Sequence, residues 1–191
     1  MGGRGFVFGG NPAAALLLGL ALLSAPVGAA DWRERLPEAR LVGAGEFHWY
    51  GLRVYSARLF SPAVRPDLTQ PFVLELTYWR SLSRDTLVDA SLEEMRRLAP
   101  RPPDDAQLAA WAGLMRSAFV DVSRGQRISG LYLPGIGCRF YIDGRLQRVV
   151  DDPQFAQAFF AIWLDARTRK PELRRELLGL AGPGIASGEQ P

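Results

Sequence analysis

The chain has 191 residues, 48% of them hydrophobic, and its 23 basic and 20 acidic side chains give a formal net charge of +3. The basic residues are interspersed with acidic ones, which argues against the continuous basic face of a nucleic-acid-binding protein. A single cysteine excludes an internal disulfide, and one cysteine with one histidine argues against a structural metal site, so we expect neither metal nor cofactor.

The first 30 residues predict a secretory signal peptide. Arg4 precedes an apolar run over residues 13–23, and small residues follow up to Ala29 and Ala30. We expect cleavage after Ala29 or Ala30, and a periplasmic or secreted location in a bacterium. A retained membrane anchor is the alternative, but the apolar run is far shorter than the ~20 residues that span a bilayer.

Residues 31–180 predict one domain, because a chain of this length can bury one substantial core and has little room for a second. Residues 181–191 are rich in glycine, proline and small side chains and predict a disordered tail. We expect a monomer with no stable membrane span once the signal peptide has been removed.

The first elements of the domain have the alternating pattern of strands. Residues 40–60 predict two strands with a turn at Gly51, and Phe47 and Trp49 share the face opposite His48. A third strand is predicted over Phe72 to Arg80.

Two helices follow in the sequence. Ser83 is a helix cap before an apolar pattern that runs to Leu98. Asp104 and Gln107 form a capping-box pattern in front of a second helix. That helix carries an apolar stripe, Leu108, Trp111, Met115 and Phe119, which is typical of a core face.

Residues 127–150 return to strand character. Asp143-Gly144 predicts a tight hairpin, because both residues tolerate positive φ. A helix is predicted from Asp152 and a short one in PELRRELL, which ends at Gly179 as a left-handed cap. The glycine-rich stretches GAG (43–45) and PGIG (134–137) are interpreted as turns rather than phosphate loops.

This order of elements predicts an α+β fold, in which an antiparallel sheet has helices layered on one face. Such an arrangement can leave a crevice for an apolar ligand between the sheet and the helices.

Four polar side chains on the strands are candidates for that crevice. His48 can offer a cation, with a histidine at the rim as the alternative. Tyr78 and Arg80 share one side of the third strand, where Arg80 could hold a carboxylate through two hydrogen bonds. Tyr55 shares one side of the second strand with Arg53. For these strand residues a purely surface role is the alternative.

Cys138 lies in the apolar stretch GCRFYI. We interpret it as a small buried hydrophobe, with a redox thiol as the alternative.

Four stretches, GLRVYSARLF, LELTYWRSLSRDTLVDASLEEMRR, YLPGIGCRFYIDG and FFAIWLDARTRKPELRRELLG, are together similar to the chalcone isomerase-like superfamily. The resemblance covers residues 38–179 and is to the bacterial exported branch in particular. It implies an open-faced β-sandwich, a large antiparallel sheet covered by helices. The superfamily includes chalcone–flavanone isomerases and plant fatty-acid-binding proteins, so the fold alone does not choose a function.

The isomerase reaction closes a ring by adding a phenolate to an enone. It needs a cation for the nucleophile and hydrogen-bond donors for the carbonyl that becomes an enolate. The resemblance implies an arginine at a position that is Phe47 or His48 here, and a threonine matched by Ser56. It also implies a tyrosine and an asparagine, where this chain has Leu87 and Glu94. Leucine has no proton or hydrogen bond to give.

The sequence therefore favours a noncatalytic protein that binds a small apolar or amphipathic ligand such as a fatty acid. The candidate ligand-binding residues are His48, Tyr55, Ser56, Tyr78 and Arg80, and no catalytic residue is assigned. One alternative is an intramolecular lyase of the chalcone–flavanone type acting on a phenolic enone. Another is an envelope interaction module without a small ligand.

Overall fold

The structure is a computed structural model that describes Gly2 and residues 31–181. Apart from Gly2 and Ala181, the predicted signal peptide and the predicted tail lie outside the described residues.

Six strands form one antiparallel sheet in the order of the chain, which confirms the predicted α+β architecture. Each strand pairs with the next, so successive connections alternate between the two ends of the sheet. The third strand ends at Tyr78, two residues before the predicted end. The strands are β1 Arg40–Trp49, β2 Leu52–Ser61, β3 Phe72–Tyr78, β4 Arg127–Leu133, β5 Gly137–Ile142 and β6 Arg145–Val150.

Four of the five described helices pack on one face of the sheet and enclose the main core. The helices are α1 Trp32–Arg35, α2 Arg84–Leu98, α3 Asp105–Ala118, α4 Pro153–Leu164 and α5 Pro171–Leu177. α4 contributes more buried aromatic side chains to this core than any other described element, namely Phe155, Phe159, Phe160 and Trp163. No helix among the described residues is long and apolar enough to cross a membrane.

The short helix α1 was not predicted, and it lies on the other face of the sheet. Its Trp32 is buried and packs on Phe60 with ring centroids 5.0 Å apart. Val73, Leu131 and Tyr141 complete this second, smaller apolar cluster. One end of the otherwise open sheet face is therefore covered.

The predicted helix starts are confirmed by side-chain caps. Ser83 Oγ accepts a hydrogen bond from the Thr86 amide at 3.1 Å, and Asp104 Oδ1 accepts one from the Gln107 amide at 2.7 Å. The reciprocal half of the capping box is not formed, because the Gln107 side chain instead lies 3.5 Å from that of Gln154.

Two tight turns use positive φ angles. Asp143 (φ 49°) and Gly144 (φ 82°) connect β5 and β6, which confirms the predicted hairpin. The β1–β2 turn has the same form at Tyr50 (φ 47°) and Gly51 (φ 76°). A bulky aromatic residue is unusual in this conformation.

The prediction of a turn at Gly43-Ala44-Gly45 is wrong, because these residues lie inside β1. α5 rests directly on this strand. A Cβ atom at Gly43 would lie 2.0 Å from the Glu176 carbonyl oxygen, and one at Gly45 would lie 2.7 Å from a methyl carbon of Leu173. At Gly43 the obstacle is the backbone of α5, which leaves no room for a side chain, whereas at Gly45 the obstacles are side chains of α5.

Candidate functional site

An aromatic cluster lies where the predicted crevice would be, between the sheet and α4. The rings of Phe47 and Tyr55 stack with centroids 4.9 Å apart, and Tyr55 meets Tyr78 edge-on at 5.9 Å. Trp163, from α4, donates its indole N–H to the Tyr55 hydroxyl at 3.1 Å. The cluster therefore contains two phenols, one of them fixed by a hydrogen bond.

Burial raises the pKa of both phenols well above that of a free tyrosine. Tyr78 lies close enough to Tyr55 for the two charges to oppose each other, which raises the pKa of Tyr78 further. Both side chains therefore remain protonated and can donate hydrogen bonds, but neither serves as a base at neutral pH. Burial likewise raises the pKa of the Cys138 thiol, which fits the inert buried residue that was predicted.

Side chains fill the space between α4 and the centre of the sheet. The void there measures about 10 Å³, roughly the volume that one water molecule needs. Gly130 of β4 lies under the ring of Phe160, so that a Cβ atom would be 2.8 Å from the ring. In this conformation the space between α4 and the centre of the sheet is too small for an acyl chain.

An open pocket of about 300 Å³ lies at one end of the sheet–helix interface. The β2–β3 connection forms one wall, and the end of α4 and α5 form the other. The lining residues are Pro66, Asp67, Leu68, Thr69, Leu164, Arg174 and Leu178. Four of these residues are apolar, and the three polar ones are a cation, a carboxylate and the hydroxyl residue Thr69.

Arg174 is the cation of this pocket. Its Nε donates to the Leu164 carbonyl at 2.7 Å, which fixes the half-buried guanidinium at the end of α4. Among the described residues, no carboxylate lies within 4.0 Å of its nitrogens. Asp165 is the nearby acid, but its carboxylate pairs with Arg167 at 2.8 Å, and that pairing lowers the pKa of Asp165. The terminal nitrogens of Arg174 are available to a ligand anion.

Asp67 belongs to the opposite wall. Its Oδ1 accepts hydrogen bonds from the Thr69 amide at 2.8 Å and the Thr69 hydroxyl at 2.6 Å. These bonds lower the pKa of Asp67 and fix the loop. The backbone carbonyl of Leu68 accepts from the Tyr132 hydroxyl at 2.8 Å, which ties the same loop to β4.

The predicted site residues do not form one site. Tyr55 and Tyr78 meet under α4, whereas Ser56 and His48 lie on the opposite face of the sheet. His48 Nε2 is 3.6 Å from Glu46 Oε2, which also pairs with Arg53 at 3.0 Å. Adjacent strand residues point to opposite faces, so Tyr55 and Ser56 cannot line the same crevice.

Arg80 lies beyond the end of β3 and is exposed. The same-side relation predicted for Arg53 and Tyr55 is also wrong, because the β1–β2 register shifts between Phe47 and His48 and turns Arg53 to the face of Glu46.

The positions matched to the isomerase tyrosine and asparagine have structural roles. Leu87 packs against the main core. Glu94 pairs with Arg97 at 2.6 Å and with Arg169 at 2.9 Å. Arg97 also donates to the Arg167 carbonyl at 3.0 Å, so this ion network fixes the α4–α5 connection to α2.

Sequence reasoning missed a buried carboxylate on the open sheet face. Glu75 is 1% exposed and lies 3.7 Å from Arg58, 3.5 Å from Arg127 and 3.3 Å from the Ser129 hydroxyl. In the sequence, Glu75 is a single acidic residue within a strand of hydrophobic residues, and this isolation is the feature that could have predicted a buried carboxylate. Its partners lie on β2 and β4, so Glu75 of β3 ties three neighbouring strands together.

Sequence reasoning also missed Arg174 and Asp67. Asp67 lies in a proline-bounded loop and Arg174 in the short helix α5, and the two segments are far apart in the chain. The position of Arg174 in the amphipathic run PELRREL was a weak signal, since its side chain lies next to the buried Leu173 and Leu177.

Comparisons with known proteins extend the fold assignment. No curated protein matches the chain. A crystal structure of a fatty-acid binding protein from Arabidopsis thaliana has a similar fold, with a TM-score of 0.59 and 14% sequence identity over 74% of this chain and 87% of that chain. The family model described as chalcone isomerase-like matches residues 39–179. This match spans nearly all of the sheet and the helices around it, and the chain therefore belongs to the chalcone isomerase-like family.

Proposed function

We propose that this protein binds a small amphipathic carboxylate, such as a fatty acid, without transforming it, and that the site is the pocket at Arg174. The observation that carries the proposal is a half-buried guanidinium beside an apolar pocket, whose terminal nitrogens pair with no carboxylate in the part of the chain that the structure describes. A carboxylate can pair with this group through two hydrogen bonds while its hydrocarbon chain contacts Leu68, Leu164 and Leu178.

The pocket volume limits the ligand. At about 300 Å³ the pocket is at the lower end of the ~300–1,000 Å³ that is usual for small-molecule sites. A medium-length acyl chain fits this space better than a long one. The similar plant structure is that of a fatty-acid binding protein, which supports this ligand class at the level of the fold.

The absence of turnover is the second part of the proposal. An addition of phenolate to enone needs a cation and carbonyl-directed donors around one cavity. The phenols of Tyr55 and Tyr78 are enclosed with Trp163 and Phe47, and the residues matched to the isomerase pair are Leu87 and the ion-paired Glu94.

Export to the periplasm or the medium is also a proposal, supported by the pattern of residues 1–30. Fractionation of the producing cells and mass measurement of the protein would test it. A chain beginning at Ala30 or Asp31 in the exported fraction is expected, and a full-length chain in the cytoplasm would contradict the proposal.

Displacement of a fluorescent fatty acid tests the ligand site. We expect saturated fatty acids of medium length to bind and Arg174→Gln to weaken binding at least tenfold, because a charge-assisted pair contributes ~1.5–3 kcal/mol. Arg174→Lys should retain part of the affinity. Arg175→Gln is the matched control, since Arg175 is the exposed neighbour on the same helix. Leu178→Trp should fill the pocket and block binding.

Equal affinities for the wild type, Arg174→Gln and Leu178→Trp would refute the site. Absence of any bound fatty acid in native mass spectrometry would refute the ligand class. Incubation with a hydroxychalcone separates the lyase alternative, since we expect its absorbance to decay at the rate of the buffer blank. A faster decay would overturn the noncatalytic assignment.

A further inference from the structure

The β1–β2 turn exposes three large apolar side chains at one end of the sheet. Trp49 is 55% exposed, Tyr50 is 90% exposed and Leu52 is 54% exposed. Trp49 and Leu52 are cross-strand partners, and the Tyr50 ring meets the Trp49 ring edge-on with centroids 5.1 Å apart. Residues 49–52 are therefore one contiguous apolar tip rather than scattered surface side chains.

The backbone conformation at the centre of this tip is unfavourable for a tyrosine. Tyr50 occupies the left-handed region at φ 47°, where asparagine or glycine is the usual residue and a bulky side chain is disfavoured. The hairpin therefore keeps an aromatic ring pointing into solvent at a position where a smaller residue would stabilise the turn. Folding alone does not account for this choice of residue.

Cations lie at the same end of the sheet as the tip, on both faces. On the open face, the guanidinium groups of Arg53 and Arg124 lie 4.3 and 5.6 Å from the centre of the Trp79 ring. On the helix face, Lys170 Nζ lies 5.1 Å from the centre of the Phe47 ring.

The acid in direct contact with these cations is Glu46, which pairs with Arg53 at 3.0 Å. Arg124 and Lys170 have no carboxylate within 4.0 Å among the described residues. Their charges are therefore available to an external anion.

We propose that the β1–β2 tip docks on the surface of an anionic lipid bilayer. Tryptophan and tyrosine suit the membrane–water interface, because an apolar ring can enter the acyl boundary while its polar group stays hydrated. Arginine and lysine around the tip meet the negative headgroups at the same depth. A small convex tip fits the soft surface of a bilayer, whereas a protein partner of stable affinity usually needs ~800 Å² of buried surface on each side.

This inference goes beyond the proposed ligand binding and does not depend on it. The pocket at Arg174 adjoins the β2–β3 connection, which lies at the opposite end of the sheet from the tip. Either site can therefore be removed without altering the other.

Sedimentation with vesicles tests the proposal directly. The purified protein is mixed with vesicles of phosphatidylcholine alone or with vesicles that also contain roughly 30–40% phosphatidylglycerol, an anionic lipid. We expect binding to the anionic vesicles only, and loss of that binding at high salt. Arg124→Gln should weaken the partition about fivefold, the effect of ~1 kcal/mol per surface cation.

The double variant Trp49→Ser, Tyr50→Asn should weaken partitioning into anionic vesicles on the order of tenfold or more, because the two aromatic rings can no longer bury their exposed apolar surface in the membrane–water interface. Asparagine tolerates the left-handed turn, so the variant should be at least as stable as the wild type in urea. Ile136→Ser is the matched control. Ile136 is 56% exposed in the β4–β5 turn at the opposite end of the sheet, and its loss should leave binding unchanged.

Fluorescence locates the contact. The chain has five tryptophans, and Trp49 is the most exposed of them. A blue shift with anionic vesicles should therefore disappear in Trp49→Phe.

Equal binding to neutral and anionic vesicles would overturn the proposal. So would unchanged binding of the double variant, or an equal loss in Ile136→Ser. A solution dimer that the double variant dissociates, without vesicle binding by the wild type, would identify the tip as a protein interface instead.

Discussion

Substitution of Gly43 by alanine should push α5 away from the sheet. The new Cβ atom would lie 2.0 Å from the Glu176 carbonyl oxygen and 2.6 Å from the Leu177 carbonyl oxygen, whereas ordinary contacts begin near 3.4 Å. Both obstacles are backbone atoms, which cannot rotate away as a side chain can. The helix must therefore move outward by roughly the missing distance, more than 1 Å, or leave the strand.

The expected loss follows from what α5 buries. Leu173 and Leu177 are 5% and 0% exposed, and each fully buried leucine contributes ~1.5–3 kcal/mol. A shift of this size removes only part of what the two leucines contribute together, and we expect the part that is lost to be about 3 kcal/mol. Replacing glycine also restricts the unfolded chain, which returns ~0.4–1 kcal/mol. We expect a net loss of about 2–3 kcal/mol in the free energy of unfolding.

Urea denaturation followed by circular dichroism measures this loss. Gly113→Ala is the matched control, because Gly113 lies in α3 with no other heavy atom within 4 Å of the added carbon. The control should raise stability by ~0.5–1 kcal/mol. Fatty-acid affinity should fall in Gly43→Ala, since α5 carries Arg174, and should be retained in the control. A Gly43→Ala variant within about 0.5 kcal/mol of the wild type would refute the close-approach reasoning.

Three further predictions concern buried polar groups and a cap. Because burial raises the pKa of Tyr78, the phenol ionises more readily in the unfolded chain, so its contribution to stability is full below pH ~10 and falls above it. In urea titrations above pH ~10, the free energy of unfolding of Tyr78→Phe should fall by about 1.4 kcal/mol less per pH unit than that of the wild type. An identical pH dependence in the two proteins would count against the burial of the phenol. Glu75→Gln should lower the free energy of unfolding measured in urea by about 2 kcal/mol, which is less than the loss for a fully buried ion pair because Arg58 and Arg127 are partly exposed. An unchanged free energy of unfolding would show that the carboxylate is dispensable. Asp104→Ala removes the α3 cap and should cost about 1 kcal/mol, while Asp104→Asn should be nearly neutral in the same measurement.

The local elements of this fold could be predicted from the sequence because their causes are local. Ser83 and Asp104 cap helices through bonds to amides three residues away, and Asp143-Gly144 makes its turn from its own backbone preferences. The apolar stripe of α3 repeats at helical spacing and is buried as predicted. In each case the required partner lies within a few residues in the chain.

The misinterpretations arose where the cause lies far away in the sequence. Gly43 and Gly45 read as a turn because the helix that requires them follows more than 120 residues later. The register shift near Phe47 changed the face of Arg53, which strict alternation cannot reveal. Arg174 and Asp67 meet across one pocket only because the complete sheet brings their segments together.

The contact between α5 and β1 also bears on how the chain is made. Among the described elements, β1 is the first strand to be synthesised and α5 is the last helix, so the glycine surface of β1 stays uncovered until α5 has been made. At typical elongation rates of ~5–20 residues per second, the nascent chain spends on the order of ten seconds in that state. Because β1 is also an edge strand, this is the interval in which a chaperone that holds the nascent chain would protect it from pairing with a neighbour.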